Sequence, residues 1–178
     1  WAEKSERLYA LCHKYNLEAL RLNPYVCGYH WWLFQDYWTS SNGLVDHYFR
    51  PKSITPAEVL QFNNPVVLLQ DGLQRTYRGK GRLDLKLLVS NFSSGPLPGE
   101  LTWEVKAGNQ SIARQQIPLK PVPQGELAEI TPIGLDLPDM AAPAKLKLTV
   151  ELNAGDKHFT NEWTAWLYPA VISPASGS

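Results

Sequence analysis

Two stretches of this chain alternate apolar and polar residues with a period of two. In "RLDLKLLV", Leu83, Leu85 and Leu87 alternate with Asp84 and Lys86. In "AKLKLTVEL", Leu146, Leu148, Val150 and Leu152 alternate with Lys147, Thr149 and Glu151. Successive side chains of a strand point to opposite faces, so this pattern suits a strand with one buried and one wet face. Similar segments recur from Val66 onward: "VVLLQ", "GELTWEVKAG", "QSIARQQIPL", "GELAEITPIGLDLP" and "FTNEWTAWLYP". Gly, Pro and Asn separate them at about ten-residue intervals. The spacing predicts one antiparallel β-sandwich over about residues 66–169. Its core should hold Leu83, Leu85, Leu87, Trp103, Val105, Leu146, Leu148, Val150, Trp163 and Leu167.

The N-terminal third has another character. Leu8, Leu11, Cys12, Tyr15, Ala19 and Leu22 recur at three- and four-residue steps, which predicts an amphipathic helix over Ala2–Leu22 with that stripe inward. Asn23-Pro24 ends it, because proline forces its predecessor out of helical geometry. Val26–Phe34 is apolar on both faces and reads as a strand covered on both sides. "TSSNG", from Thr39 to Gly43, is loop chemistry. Thr55, Pro56 and Glu58 form a capping-box signature ahead of a short helix carrying Val59, Leu60 and Phe62. The expected organisation is mainly β: an immunoglobulin-like antiparallel β-sandwich (residues 65–170) preceded by a helix–strand–helix piece (residues 1–64) and followed by a loose tail (residues 171–178). A single strand cannot close an α/β layer alone. The chain also starts inside a helix rather than at a Met, so a piece of a longer protein is the expectation.

The 178 residues carry 17 basic and 17 acidic side chains, a net charge of zero. The Lys and Arg residues form no stripe, which argues against nucleic acid or an anionic membrane as partner. No apolar stretch is long enough to span a bilayer. The two cysteines, Cys12 and Cys27, stand in no metal spacing and read as two buried reduced thiols, with a disulfide open if the protein is exported. No metal or other cofactor is expected. Asn91-Phe92-Ser93 and Asn109-Gln110-Ser111 match the glycosylation sequon and read as chance matches.

"GYHWWLFQDYWTSSNGLVDHYFRPKS", from Gly28 to Ser53, resembles the last βα unit of the catalytic barrel in glycoside hydrolase family two, the family of β-galactosidases, β-glucuronidases and β-mannosidases. Gly28, Trp32, Phe34, Asp36 and Tyr37 match its eighth strand. Gly43, Leu44, Arg50, Pro51 and Lys52 match the loop and approach to the final barrel helix. The last strand, "NEWTAWLYP", is similar to the end of the sandwich that follows the barrel. The resemblance implies a truncated (β/α)8-barrel fragment joined to the sandwich. It places Trp32 at the floor of a sugar subsite with His30 and Phe34 on its face, and Tyr29, Trp31 and Leu33 packed outward. Gln35, Asp36, Trp38 and Asn42 complete the candidate substrate-binding set at the strand's C-terminal end, where barrel enzymes keep their sites. A tryptophan face suits the C–H face of a pyranose, and amides and carboxylates suit its hydroxyls.

Retaining glycosidases need two carboxyl groups roughly 5–5.5 Å apart. The family takes both from earlier strands, so no catalytic residue is assigned in this chain and it should be inactive alone. Glucuronidases carry an Asn-x-Lys before the glycine matching Gly43; here Ser40, Ser41 and Asn42 precede it, which favours neutral sugars, with β-galactoside first. The implied function is the C-terminal part of a retaining exo-glycoside hydrolase, in a bacterial protein of the periplasm or exterior. Its partners are the carbohydrate substrate and the rest of the barrel. The alternative is a noncatalytic carbohydrate-binding or protein-interaction sandwich. A homodimer through the aromatic run is a further expectation, because exposed apolar patches drive association.

Overall fold

The computed structural model describes residues 1–171. Two helices lead into eight strands: α1 (Ala2–Arg21), α2 (Pro56–Phe62), β1 (Val66–Asp71), β2 (Thr76–Arg78), β3 (Arg82–Asn91), β4 (Leu97–Ala107), β5 (Gln110–Val122), β6 (Glu126–Asp136), β7 (Ala144–Ala154) and β8 (Lys157–Tyr168). The strands form two sheets, ordered β1-β3-β6 and β2-β8-β7-β4-β5. Every pairing is antiparallel except β2 with β8. The molecule is therefore mainly β, a sandwich of two sheets whose facing sides share one core.

Period-two alternation decides which side of each strand enters that core. β3 buries Leu83, Leu85, Leu87 and Val89, and β7 buries Leu146, Leu148, Val150 and Leu152. All ten residues expected in the core are buried. Each such side chain contributes roughly 1.5–3 kcal/mol through burial. β1 differs: Val66, Val67, Leu68 and Leu69 are all buried, so this strand is covered on both faces.

The parity of β8 carries one polar exception. Asn161, Trp163, Ala165 and Leu167 all point inward, and Asn161 is 0% exposed. Its amide donates to Leu68 O (2.7 Å) and to Glu18 Oε1 (2.8 Å). Glu18 Oε2 accepts from Trp163 Nε1 at 2.8 Å, and Glu18 Oε1 pairs with Lys14 Nζ at 2.5 Å. Lys14 also donates to Asn161 Oδ1. Its ammonium lies 4.9 Å from the Trp163 ring centroid. Burial pushes the Lys14 pKa down against the opposing pull of Glu18. A satisfied polar cluster, rather than an apolar seam, thus fastens α1 to the sandwich.

That cluster corrects the expected facing of α1. The buried positions are Ala10, Lys14, Leu17 and Glu18, whereas Leu8, Leu11, Cys12 and Ala19 are exposed. At about 100° per residue the expected stripe lies roughly 130° around the helix from the buried one. Cys12 and Cys27 are both exposed and free, contrary to the expectation of buried thiols. Cys12 belongs to the outward stripe, and Cys27 follows the helix in an irregular stretch.

Val26–Phe34 is not a strand. It runs without ladder partners, and among the described residues the backbone of residues 27–33 pairs with no other backbone group. A strand is completed by a neighbour, and no neighbouring strand lies beside this segment to accept its hydrogen bonds. The observed order is therefore helix, irregular segment with bends at Trp32 and Phe34, helix. Period two nevertheless persists: Trp31, Leu33 and Gln35 are half-buried while Trp32 and Phe34 are exposed. The capping box at α2 is present, with Glu58 N on Thr55 Oγ1 (3.2 Å) and Thr55 N on Glu58 Oε2 (2.8 Å). The expected loose tail lies, from residue 172, outside the described residues.

Candidate functional site

Residues 32–52 turn an aromatic-rich stretch back on itself. Single bridges join Gln35 to Val45, Tyr37 to Ser40 and Val45 to Pro51. Such isolated bridges hold little by themselves, and a buried ion pair does the organising. Asp36 Oδ1 meets Lys52 Nζ at 2.6 Å, with both side chains about 5% exposed or slightly more (6% and 5%). The same oxygen accepts Gly43 N at 2.8 Å. Lys52 Nζ donates in addition to Ser41 O (2.8 Å) and Gly43 O (3.1 Å), which occupies all three ammonium protons. Gly43 fits here because a Cβ would stand 2.3 Å from Asp36 N.

Behind this loop, α1 supplies an aromatic backing. The imidazole of His13 stacks on Trp31 with centroids 4.2 Å apart and planes at 8°. Trp31 Nε1 donates to Tyr9 Oη at 3.1 Å, and Tyr9 in turn donates to Asn42 O. Lys52 Nζ lies 5.5 Å from the Tyr9 ring centroid. Burial pushes the Tyr9 hydroxyl pKa up and holds the His13 imidazole below its ordinary value. Half-buried Trp31 is thereby held by two α1 side chains.

The outer side is open. Trp32 is 70% exposed and Trp38 82%, with Phe34, Tyr37, Tyr48 and Phe49 also exposed. Trp38 and Phe49 have φ of 49° and 59°, the left-handed region that bulky residues rarely enter. The surrounding bonds hold them there. Gln35 Nε2 donates to His47 O (2.8 Å), and His47 Nε2 lies 3.0 Å from Trp38 O. The Asp46 carboxylate accepts Tyr48 N (2.8 Å), Arg50 N (2.9 Å) and Arg50 Nε (2.6 Å). The backbone N–H of Arg50 leads these in holding the Asp46 carboxyl below the usual range.

The five candidate residues thus separate. Trp32, Trp38 and Asn42 are exposed, Gln35 is half-buried and bonded within the loop, and Asp36 is buried under Lys52. Trp32 and Trp38 offer stacking faces, whereas Asp36 serves the loop's own backbone. Sequence reasoning missed Tyr9 and His13, whose places in a helical pattern carry no signal for Trp31. It also passed over Lys14 and Glu18, an i,i+4 pair of the kind usually found on a wet helix face. No group of His, Cys, Asp and Glu able to hold a metal occurs among the described residues.

Residues 82–169 match the family model described as a domain of unknown function (DUF8488). No curated protein sequence matches the chain. Among solved structures, a β-D-mannosidase from Dictyoglomus thermophilum superposes on 93% of this chain and 19% of its own, with TM-score 0.64 and 15% identity. A β-glucuronidase from Parabacteroides merdae covers 58% of this chain and 14% of its own, at TM-score 0.42 and 15% identity. The alkylpurine DNA glycosylase AlkC of Pseudomonas fluorescens covers 64% and 33%, at TM-score 0.41 and 14% identity. The chain spans about a fifth of the mannosidase's length, and the likeness at that identity is one of fold.

Proposed function

We propose that this chain is the C-terminal part of a retaining glycoside hydrolase resembling family two, acting on neutral β-glycosides. In this reading residues 1–64 are the last portion of the catalytic barrel, with Val26–Phe34 becoming a strand only beside the other barrel strands of the parent, and 65–170 the immunoglobulin-like sandwich that follows it. The observation that carries the reading is the 93% coverage at TM-score 0.64 in the mannosidase. The sandwich, Val66–Tyr168, is a much smaller share of the chain, so the match takes in helix, aromatic loop and sandwich together. Two further features support it. The outward stripe of α1, with Leu8 61% and Leu11 44% exposed, is apolar surface of the sort that packs on another element. Residues 27–33 have no backbone partner among the described residues and burial alternates over Trp31–Gln35, as suits a segment that becomes a barrel strand on meeting its neighbours.

Trp32 and Trp38 act as sugar-stacking faces in this reading, with Gln35 and Asn42 near the hydroxyls. Asp36 is occupied by Lys52 and Gly43 and acts as a positioning residue for the loop. The two carboxyl groups of retaining hydrolysis come from elsewhere in the parent. The test is an assay of the full-length parent on chromogenic β-galactoside, β-mannoside and β-glucoside, beside Trp32→Phe and Trp32→Ala forms checked for folding. Turnover of one neutral glycoside, reduced in a folded Trp32→Phe protein, supports the reading. A folded parent inactive on all three overturns it.

A further inference from the structure

A cavity of about 270 Å³ lies where the end of α1 and residues 23–29 meet the sandwich at Ser90, Phe92, Gly125 and Leu127. It is separate from the loop of residues 32–52, and it shares Val26–Tyr29 with the segment assigned above to the barrel. Arg21 lines it, and no carboxylate does among the described residues. The guanidinium spends two of its five N–H groups on neutral acceptors: Ser90 Oγ at a long 3.3 Å, and Asn64 O. Nε is buried without a partner among the described residues. No described carboxylate forms an ion pair with Arg21. The Phe92 ring lies 5.1 Å from the guanidinium carbon. Burial holds the Arg21 pKa below its ordinary value.

A partly buried cation with open donors and no counter-charge is costly, and it is the arrangement that an incoming anion relieves. Guanidinium forks match carboxylates in two parallel bonds. The rest of the lining is largely apolar, and the volume lies just below the usual range for drug-sized ligands, which suits a smaller molecule. We infer that this cavity binds a small organic monocarboxylate, with its apolar body against Leu20, Pro24, Phe92 and Leu127 and its carboxylate on Arg21. Tyr29, whose hydroxyl donates to Asn63 Oδ1 at 2.5 Å, also lines the cavity.

The probes are 3-phenylpropionate, its neutral amide and acetate, titrated into the 178-residue chain by calorimetry. The ¹⁵N signal of Arg21 Nε is followed in parallel. The expected result is saturable binding of 3-phenylpropionate with a shift of the Nε–H resonance. The amide and acetate should each bind at least about tenfold more weakly, a difference of about 1.4 kcal/mol. Arg21→Gln, checked by circular dichroism, should lose the preference for acid over amide. Arg21→Lys should keep part of it, which covers the case in which the Gln form does not fold. Equal binding of acid and amide, equal binding of acetate, or an Nε–H resonance unmoved at saturation would each overturn the inference.

Discussion

Glu18 and Trp163 are 145 positions apart in sequence and meet at 2.8 Å, carboxylate to indole N–H, inside the joint between α1 and the five-stranded sheet. Glu18 also accepts from Asn161 and Lys14, so four side chains share one buried cluster. Removing one member of such a cluster strands the rest away from water. Glu18→Ala should destabilise the chain by about 3–5 kcal/mol, as expected for breaking a buried pair on one side. The double change Lys14→Met with Glu18→Leu should cost clearly less, because neither charge is left behind. Urea unfolding of the three proteins checks this; a double form less stable than Glu18→Ala would contradict it.

Lys52→Met should loosen the loop without unfolding the sandwich. The change leaves Asp36 buried beside Gly43 N and without its cation. The local cost is about 3–5 kcal/mol. Hydrogen exchange should show the Gly43 N–H losing protection while amides of β4 and β7 keep theirs. Unchanged protection at Gly43 would mean that the backbone bridges hold the loop by themselves.

The His13–Trp31 stack should open in mild acid. Burial holds the His13 pKa below the unfolded value of about 6.5, so the folded form binds its proton less readily than the unfolded form. The stabilisation is therefore fully present above about pH 6.5 and lost as pH falls through the folded pKa. Stability and Trp31 fluorescence, followed from pH 7.5 to 4.5, should fall through that window. His13→Phe keeps a ring against Trp31 and should flatten this component. A wild-type profile identical to that of His13→Phe would contradict the assignment.

Asn91 should stay unmodified even in a glycosylating host. It is 0% exposed, and its amide donates to Gly95 O (2.9 Å), Val122 O (2.9 Å) and Pro123 O (3.3 Å). Its oxygen accepts Ser93 N at 3.0 Å. Asn109, by contrast, is exposed at the β4–β5 turn. Mass spectrometry of protein secreted from such a host should find no glycan on folded Asn91. Asn91→Ala should lower stability by about 1–3 kcal/mol, because the carbonyls of Val122, Gly95 and Pro123 lose their donor, the Val122 bond being buried.

The sandwich was legible because alternation is a local signal: Leu83, Leu85 and Leu87 declare their face with no knowledge of their neighbours. Asn161 stands at the inward parity of "NEWTAWL", a local signal that the sequence reading did not use. The facing of α1 was hidden. Its outward stripe is the more apolar one, and its inward positions include a Lys–Glu pair whose burial depends on Asn161 and Trp163, far along the chain. Val26–Phe34 misled for a related reason. Apolar side chains on both faces describe what a segment could pack against, whereas a strand exists only where another backbone meets it. Of the candidate site, the exposure of Trp32 was not legible, because Val26–Phe34 reads as a strand covered on both sides. The engagement of Asp36 was not legible either, since Lys52 lies 16 positions away.

The polar joint at Glu18 makes the covalent link between the two regions partly redundant. α1 reaches β8 through side chains, and Arg21 bonds Asn64 O beside the Asn63–Pro65 connection. A protease nick in that connection would leave the pieces clasped by the same cluster, so the cut protein should migrate as one particle until denaturant parts it. Two separately expressed segments, 1–64 and 65–178, form the matching split pair, with restored Trp163 emission reporting their reassembly.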